Sequence, residues 1–168
     1  MIRRLIAPAL VLAVALAACS SVDVDATLQQ GIDALNKGDV ATAEDAFLKV
    51  LDAEQDNAYG LYNMGVIEQG RDRADLAEGY YRSAIEQDAT LVSALYNLGI
   101  LRAQADDAEE AISLYRKVVY LDPSHAEAHL NLGLLLLDAG SFHEATKELN
   151  RAVALDPTLA SRLPAAQG

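Results

Sequence analysis

Hydrophobic positions fall into two unlike patterns along this chain. From Leu5 to Leu16 they form a nearly unbroken apolar run. Beyond it they recur at helical spacing among charged side chains, the pattern of amphipathic helices. The second pattern also repeats on a longer scale. Gly31, Gly65, Gly99 and Gly133 lie 34 residues apart. Ala43, Ala77, Ala111 and Ala145 keep the same spacing, as do Phe47, Tyr81, Tyr115 and Leu149, and Val50, Ala84, Val118 and Ala152. Pro123 and Pro157 close the last two units within Leu-Asp-Pro. The columns divide the chain into four units, 24–57, 58–91, 92–125 and 126–159, with no insertion.

Each unit predicts a helical hairpin. Helix A carries Leu or Met and the glycine; helix B carries the alanine and the aromatic. Glycine inside a helix costs about 1 kcal/mol against alanine. Its recurrence at all four positions implies a need for the missing side chain. The expectation is that each glycine lies against the alanine of its partner helix, so that the two backbones approach closely. Asp56, Thr90, Ser124 and Thr158 are read as the residues that start helices, all of N-cap type. Ser124 with Glu127 reads as a capping box. Gly38-Asp39 and Gly140-Ser141 mark the A-to-B turns of the outer units, with Arg71-Asp72-Arg73 and Asp106-Asp107 in the inner ones.

These columns resemble the tetratricopeptide repeat (TPR), with its 34-residue period, Leu-Gly, Ala, aromatic and terminal Pro. The resemblance implies an all-α fold: a TPR helical-hairpin solenoid of four repeats. The chain departs from the pattern in the slot early in helix A that usually holds Trp, filled here by Thr27, Leu61, Leu95 and His129. Polar Thr27 and Gln30 make repeat one an atypical capping unit. After the fourth repeat, Thr158 is expected to start a cap of about one turn. Leu163 falls in the slot of Leu61 and Leu95, Pro164 ends the turn, and residues 160–168 form a short cap and tail. Phe142, Leu149 and Val153 on the flank of the last helix are expected to stay exposed, which suggests a weak homodimer or a partner surface there.

By the same resemblance, helices A line a concave groove for a protein partner. Its slots fall at Tyr59, Tyr62, Asn63, Val66 and Gln69, then at Ser93, Tyr96, Asn97, Ile100 and Gln104, and finally at Glu127, Leu130, Asn131 and Leu134. Asn63, Asn97 and Asn131 recur at the repeat period, with Gln29 in the equivalent slot of repeat one. An amide both donates and accepts, so a ladder of amides can grip an extended peptide backbone without reading its sequence. The same ladder can equally serve neighbouring helices. Flanking tyrosines add rigid contact area, while Tyr81 and Tyr115 read as packing residues. The carboxylate-clamp TPRs need Lys or Arg in groove slots that hold Tyr, Asn, Leu and Glu here.

The N-terminal pattern reads as an address. Met1-Ile2-Arg3-Arg4 is a short positive segment before the apolar run, and that run is too short to span a bilayer, which takes roughly 20 apolar residues. Leu16-Ala17-Ala18-Cys19 resembles the lipobox of bacterial lipoproteins. The resemblance implies cleavage of residues 1–18, acylation of Cys19 (palmitate among the chains), and a short tether at 19–23. Ser20 lacks the aspartate that marks inner-membrane retention. That favours an outer-membrane, periplasm-facing location, with the inner membrane as second choice. Four tether residues reach on the order of 15 Å, so the solenoid is expected near the membrane surface.

Composition adds exclusions. The formal charge is −12; without residues 1–18, 11 basic side chains face 25 acidic ones. Such a surface repels phosphate backbones, so nucleic acid is a poor partner. Cys19 is the only cysteine, which excludes an intrachain disulfide. His125 and His129 share a helix face, but no His-Glu-x-x-His motif is present. No nucleophile elbow or phosphate loop occurs, so the expectation is no catalytic residue, no metal and no cofactor. The reading is a membrane-anchored scaffold for assembly or localisation of a cell-envelope complex, of pilus/secretin or outer-membrane-assembly type. The alternative is an adaptor that recruits a periplasmic protease or peptidoglycan hydrolase.

Overall fold

The computed structural model describes residues 22–164. The expected leader, the expected lipidation site Cys19, and residues 165–168 of the tail lie outside them. Among the described residues the chain forms eight α-helices and one 3-10 helix, with no strand: α1 (Val24–Asn36), α2 (Val40–Ala53), α3 (Ala58–Gly70), α4 (Ala74–Gln87), α5 (Val92–Gln104), α6 (Ala108–Leu121), α7 (Ala126–Asp138), α8 (Phe142–Leu155) and the 3-10 turn Pro157–Arg162. Each A helix (α1, α3, α5, α7) packs on its own B helix. Each B helix then packs on the A helix that follows. The product is an all-helical solenoid of four stacked hairpins, the architecture that the resemblance implies.

The A-to-B turns are set by one left-handed residue each. Gly38 and Gly140 have φ +76°, while Asp72 and Asp106 take φ 58° and 60°. Asp tolerates this region better than most residues because its short polar side chain can bond locally. In each turn the next N–H reaches back to a helix carbonyl: Asp39 to Ala34, Arg73 to Glu68, Asp107 to Arg102 and Ser141 to Leu136, all at 2.8–3.0 Å. This bond closes a Schellman-type end.

The B-to-A turns correct the expected caps. Thr90, Ser124 and Thr158 do not cap helices. Their N–H and hydroxyl groups both donate to Asp88, Asp122 and Asp156, two residues earlier, at 2.6–3.0 Å. The hydroxyl is therefore already committed to a local Asx turn. For the α-helices the cap position falls one residue later, while the 3-10 turn is capped by Asp156. Asn57, not Asp56, accepts from the Gly60 N–H (2.9 Å), and His125 Nδ1 accepts from the Ala128 N–H (3.3 Å). The Ser124–Glu127 box does not form. Leu91, in the same register, is buried instead of capping.

The glycine column also meets a different partner from the one expected. A Cβ on Gly65 would stand 2.6 Å from Cε1 of Tyr81, one on Gly99 2.8 Å from Cε1 of Tyr115, and one on Gly133 2.7 Å from Cδ2 of Leu149. Gly31 faces the Phe47 ring in the same way. The missing side chain makes room for the aromatic column. Burying such a side chain is worth roughly 1.5–3 kcal/mol, more than the ~1 kcal/mol helix cost of glycine. The alanines are all fully buried, and those of the first three repeats serve the next joint. Ala43 clusters with Met64 and Ile67, and Ala111 with Leu132 and Leu136, where one hairpin meets the following one.

Ion pairs stitch successive hairpins. Arg71 forks onto Glu44 (2.6 and 2.7 Å), Arg102 reaches Glu78 (2.6 Å), Arg82 reaches Glu110 (2.8 Å), and Arg116 forks onto Glu144. At the C-terminal end, Leu159 and Leu163 pack over Leu130, Leu149 and Ala152. Leu149 is consequently only 8% exposed, contrary to the expected open flank, and Val153 is half-buried. Phe142 does stand out, at 67%.

Candidate functional site

The A helices bring the amide column onto one side of the solenoid, and their register decides what each amide touches. Asn97 Nδ2 donates to the Tyr81 hydroxyl (3.3 Å). Asn131 Nδ2 faces two hydroxyls, Tyr96 (3.3 Å) and Tyr115 (3.4 Å). Each asparagine therefore reaches back to the ring sixteen residues earlier, in the preceding repeat. Asn63 stands in the same register to Phe47, which has no hydroxyl. It turns to its own helix and donates to the Tyr59 carbonyl (2.8 Å). Gln29 likewise bonds within its helix, to Asp33 (2.9 Å). Tyr81 and Tyr115, read from sequence as packing residues, thus bury their rings and offer their hydroxyls to the groove side. The asparagine recurs sixteen residues after Phe47 as well as after Tyr81 and Tyr115, so only the hydroxyl of the two tyrosines marks the repeats where the bond forms.

The tyrosines form tilted pairs. Tyr62 lies 5.9 Å from Tyr81, and Tyr96 5.8 Å from Tyr115, centroid to centroid. Tyr96 also stacks on His125 at 4.5 Å. Burial pushes the phenols of Tyr62, Tyr81 and Tyr96 up, and that of Tyr115 to about 12. All four keep their protons at neutral pH and can both donate and accept.

One depression of about 430 Å³ lies between α5 and α7. Tyr96, Ile100, Gln104, Asn131 and Leu134 line it, together with Tyr115 and Arg162. Five expected groove residues therefore meet around one hollow with an apolar floor and an amide at its edge. Arg162 was not foreseen; it arrives from the 3-10 turn, outside the repeat register. Among the described residues, the oxygens of Asn97 and Asn131 accept no hydrogen bond, leaving the acceptor half of each amide available. Tyr59 is exposed on α3, Ser93 on α5 and Glu127 on α7, the last 3.7 Å from His125. Three expected groove residues are used elsewhere. Leu130 is fully buried under the C-terminal turn, Val66 packs against the Tyr81 cluster, and Gln69 accepts the Tyr81 hydroxyl at 2.6 Å.

The two histidines of α7 part company. His125 caps the helix, whereas His129 is buried and bonds Glu148 at 2.6 Å. Among the described residues no group of three potential metal ligands occurs, and no helix is long and apolar enough to cross a membrane.

A family model for the tetratricopeptide repeat matches residues 28–92, 68–124 and 96–160. The chain belongs to the TPR family. No curated protein matches it significantly. Solved TPR structures superpose well. MamA is 22% identical over 83% of this chain and 81% of its own, with TM-score 0.69. Pseudomonas aeruginosa pilF is 24% identical over 80% of this chain and 61% of its own, with TM-score 0.70. YrrB, a TPR protein with an unusual peptide-binding site, is 26% identical over 86% of this chain and 77% of its own, with TM-score 0.66. TPR repeat proteins are in general non-catalytic scaffolds for protein partners.

Proposed function

We propose that this TPR chain is a membrane-anchored scaffold that holds an extended protein segment along its A helices. It would act in assembly or localisation of a cell-envelope complex, of pilus/secretin or outer-membrane-assembly type. The hollow between α5 and α7 carries the reading, because its apolar floor is edged by Asn131 and Tyr96. An extended backbone laid there finds acceptors in the asparagine oxygens and dual donor–acceptors in the tyrosine hydroxyls. The likeness to YrrB supports peptide capture as the mode.

The anchor rests on Leu16-Ala17-Ala18-Cys19. Acylation there would leave Ser20 to Asp23 as the tether, and α1 begins at Val24. Helix α1 would then begin within on the order of 15 Å of a bilayer, preferentially the outer membrane on its periplasmic side. A partner bound in the hollow would be tied to that membrane through the solenoid.

A photo-crosslinking amino acid at Gln104, introduced in the producing cell, tests the function. Secretin, pilus or outer-membrane-assembly subunits are the expected adducts; a protease or wall hydrolase would replace this reading with the adaptor. Mass spectrometry of the mature protein tests the anchor, and an N-terminus other than acylated Cys19 would remove it.

A further inference from the structure

The groove between the B helices α6 and α8 lies apart from the hollow described above. It is an open trough of about 630 Å³, lined by Arg116, Tyr120, Lys147, Glu148 and Arg151, with His129 and Pro123 at its floor. Three cations against one carboxylate is an unusual lining in a chain of formal charge −12. The carboxylate is partly spoken for, since buried Glu148 takes a 2.6 Å bond from His129.

The cations on α8 lack the close carboxylate bonds that five arginines of the earlier repeats make. Arg71, Arg73, Arg82, Arg102 and Arg116 each donate to a carboxylate. Arg151 instead donates to the Pro123 carbonyl (3.3 Å). Lys147 is 78% exposed in its side chain, and its nearest carboxylate, on Glu148, stands 3.6 Å away. The repeat register shows what changed. Where the preceding repeat has Glu86 this one has Tyr120, and Ser113 gives way to Lys147. Arg116 and Arg151 keep the charge of Arg82 and Lys117 in the same register, so the change is an exposed aromatic in place of a glutamate, with Lys147 lining the same trough. Tyr120 is 82% exposed, more than the other large apolar side chains on the described surface. Exposed Tyr beside Arg is the composition of interface anchors.

We infer that the α6/α8 trough is a second docking surface, and that it takes an acidic segment of a partner protein bearing an apolar or aromatic residue to pack on Tyr120. Charge complementarity selects the occupant: Lys147 and Arg151, neither closed into a hydrogen bond with a carboxylate, attract carboxylates that the rest of this surface repels. The scaffold then has two faces, one along its A helices and one on the opposite helices at its C-terminal end.

Fluorescence polarisation with the purified full-length protein tests this. The probe is a labelled twelve-residue peptide of four Asp-Glu-Phe triplets; its control has Asn-Gln-Phe triplets. The acidic peptide is expected to bind at least tenfold more tightly than the control, and to weaken as NaCl rises from about 50 to 300 mM. The exposed pair Lys147→Glu/Arg151→Glu should cost at least tenfold without changing the helical circular dichroism, and Tyr120→Ala severalfold. Asn97→Ala/Asn131→Ala should leave this binding unchanged, which separates it from the A-helix reading. Equal binding of both peptides, no binding of the acidic one, or no loss with Lys147→Glu/Arg151→Glu would overturn the proposal. So would a dimer in sedimentation that those two substitutions dissolve, because the occupant would then be a second copy of the chain.

Discussion

Asn131 of α7 and Tyr115 of α6 meet at 3.4 Å across the joint between two repeats, with the ring of Tyr115 seated on Gly99. The same side chain therefore fills a glycine notch in its own hairpin and offers a hydroxyl to the next. Packing within a repeat and coupling between repeats share one residue. This is why the aromatic slot matters more than its burial alone implies.

The hydroxyl can be removed without disturbing the ring, as Phe47 does in repeat one. Tyr115→Phe should cost about 0.5–1.5 kcal/mol in urea unfolding, the range for one hydrogen bond. A double-mutant cycle with Asn131→Ala should return a coupling near 0.5–1 kcal/mol. A coupling of zero would mean that the 3.4 Å contact contributes nothing.

Glycine position should decide the sign of a substitution. Gly99→Ala drives a methyl against the Tyr115 ring and should destabilise by about 1–3 kcal/mol despite the better helix propensity. Gly79 lies within α4 with nothing inside 4 Å of an added Cβ. Gly79→Ala should stabilise by about 0.5–1 kcal/mol. Thermal melts of both variants check the pair, and the idea fails if they shift the same way.

His129 and Glu148 stand in the slots that Leu95 and Leu114 occupy one repeat earlier. Both are buried and bonded to each other. His129→Leu alone strands a buried carboxyl and should cost roughly 3 kcal/mol or more. Changing both, to His129→Leu/Glu148→Leu, should recover most or all of that loss. Chemical denaturation of the single and double variants gives the comparison.

Acid should loosen the B-to-A turns together. Thr90, Ser124 and Thr158 hold the carboxyls of Asp88, Asp122 and Asp156 below their ordinary value of 3.8, first through the hydroxyl bond and then the backbone N–H. A depressed folded pKa contributes stability above the unfolded value, and that contribution disappears as pH falls through the folded one. Urea midpoints should therefore drop as pH is lowered below about 4. Replacing all three aspartates by asparagine should flatten that slope, and an unchanged slope would clear these turns of any role.

The period and the column identities made the helical hairpins readable, because a helix needs only local spacing and composition. The A-to-B turns were readable too, since Gly38 and Gly140 mark a left-handed backbone and Asp72 and Asp106 stand in register with them. The helix starts misled by one residue: Thr90 and Ser124 are good caps in isolation, but Asp88 and Asp122 capture them first. Candidate groove residues were readable by register at Tyr96, Ile100, Gln104, Asn131 and Leu134, which do surround one hollow. Leu130 and Arg162 were not, since both depend on the C-terminal turn, which follows no repeat.

What the chain's order of residues determined by itself is the repeating hairpin, for each helix carries its own hydrogen bonds and its apolar stripe is written every 34 positions. Tertiary structure alone decided that the glycines face the aromatic-or-Leu column, that Asn97 and Asn131 spend their donors on tyrosine hydroxyls, and that Leu149 is covered. Those outcomes turn on which faces meet when one hairpin docks on another, and a periodic pattern leaves that choice of face open.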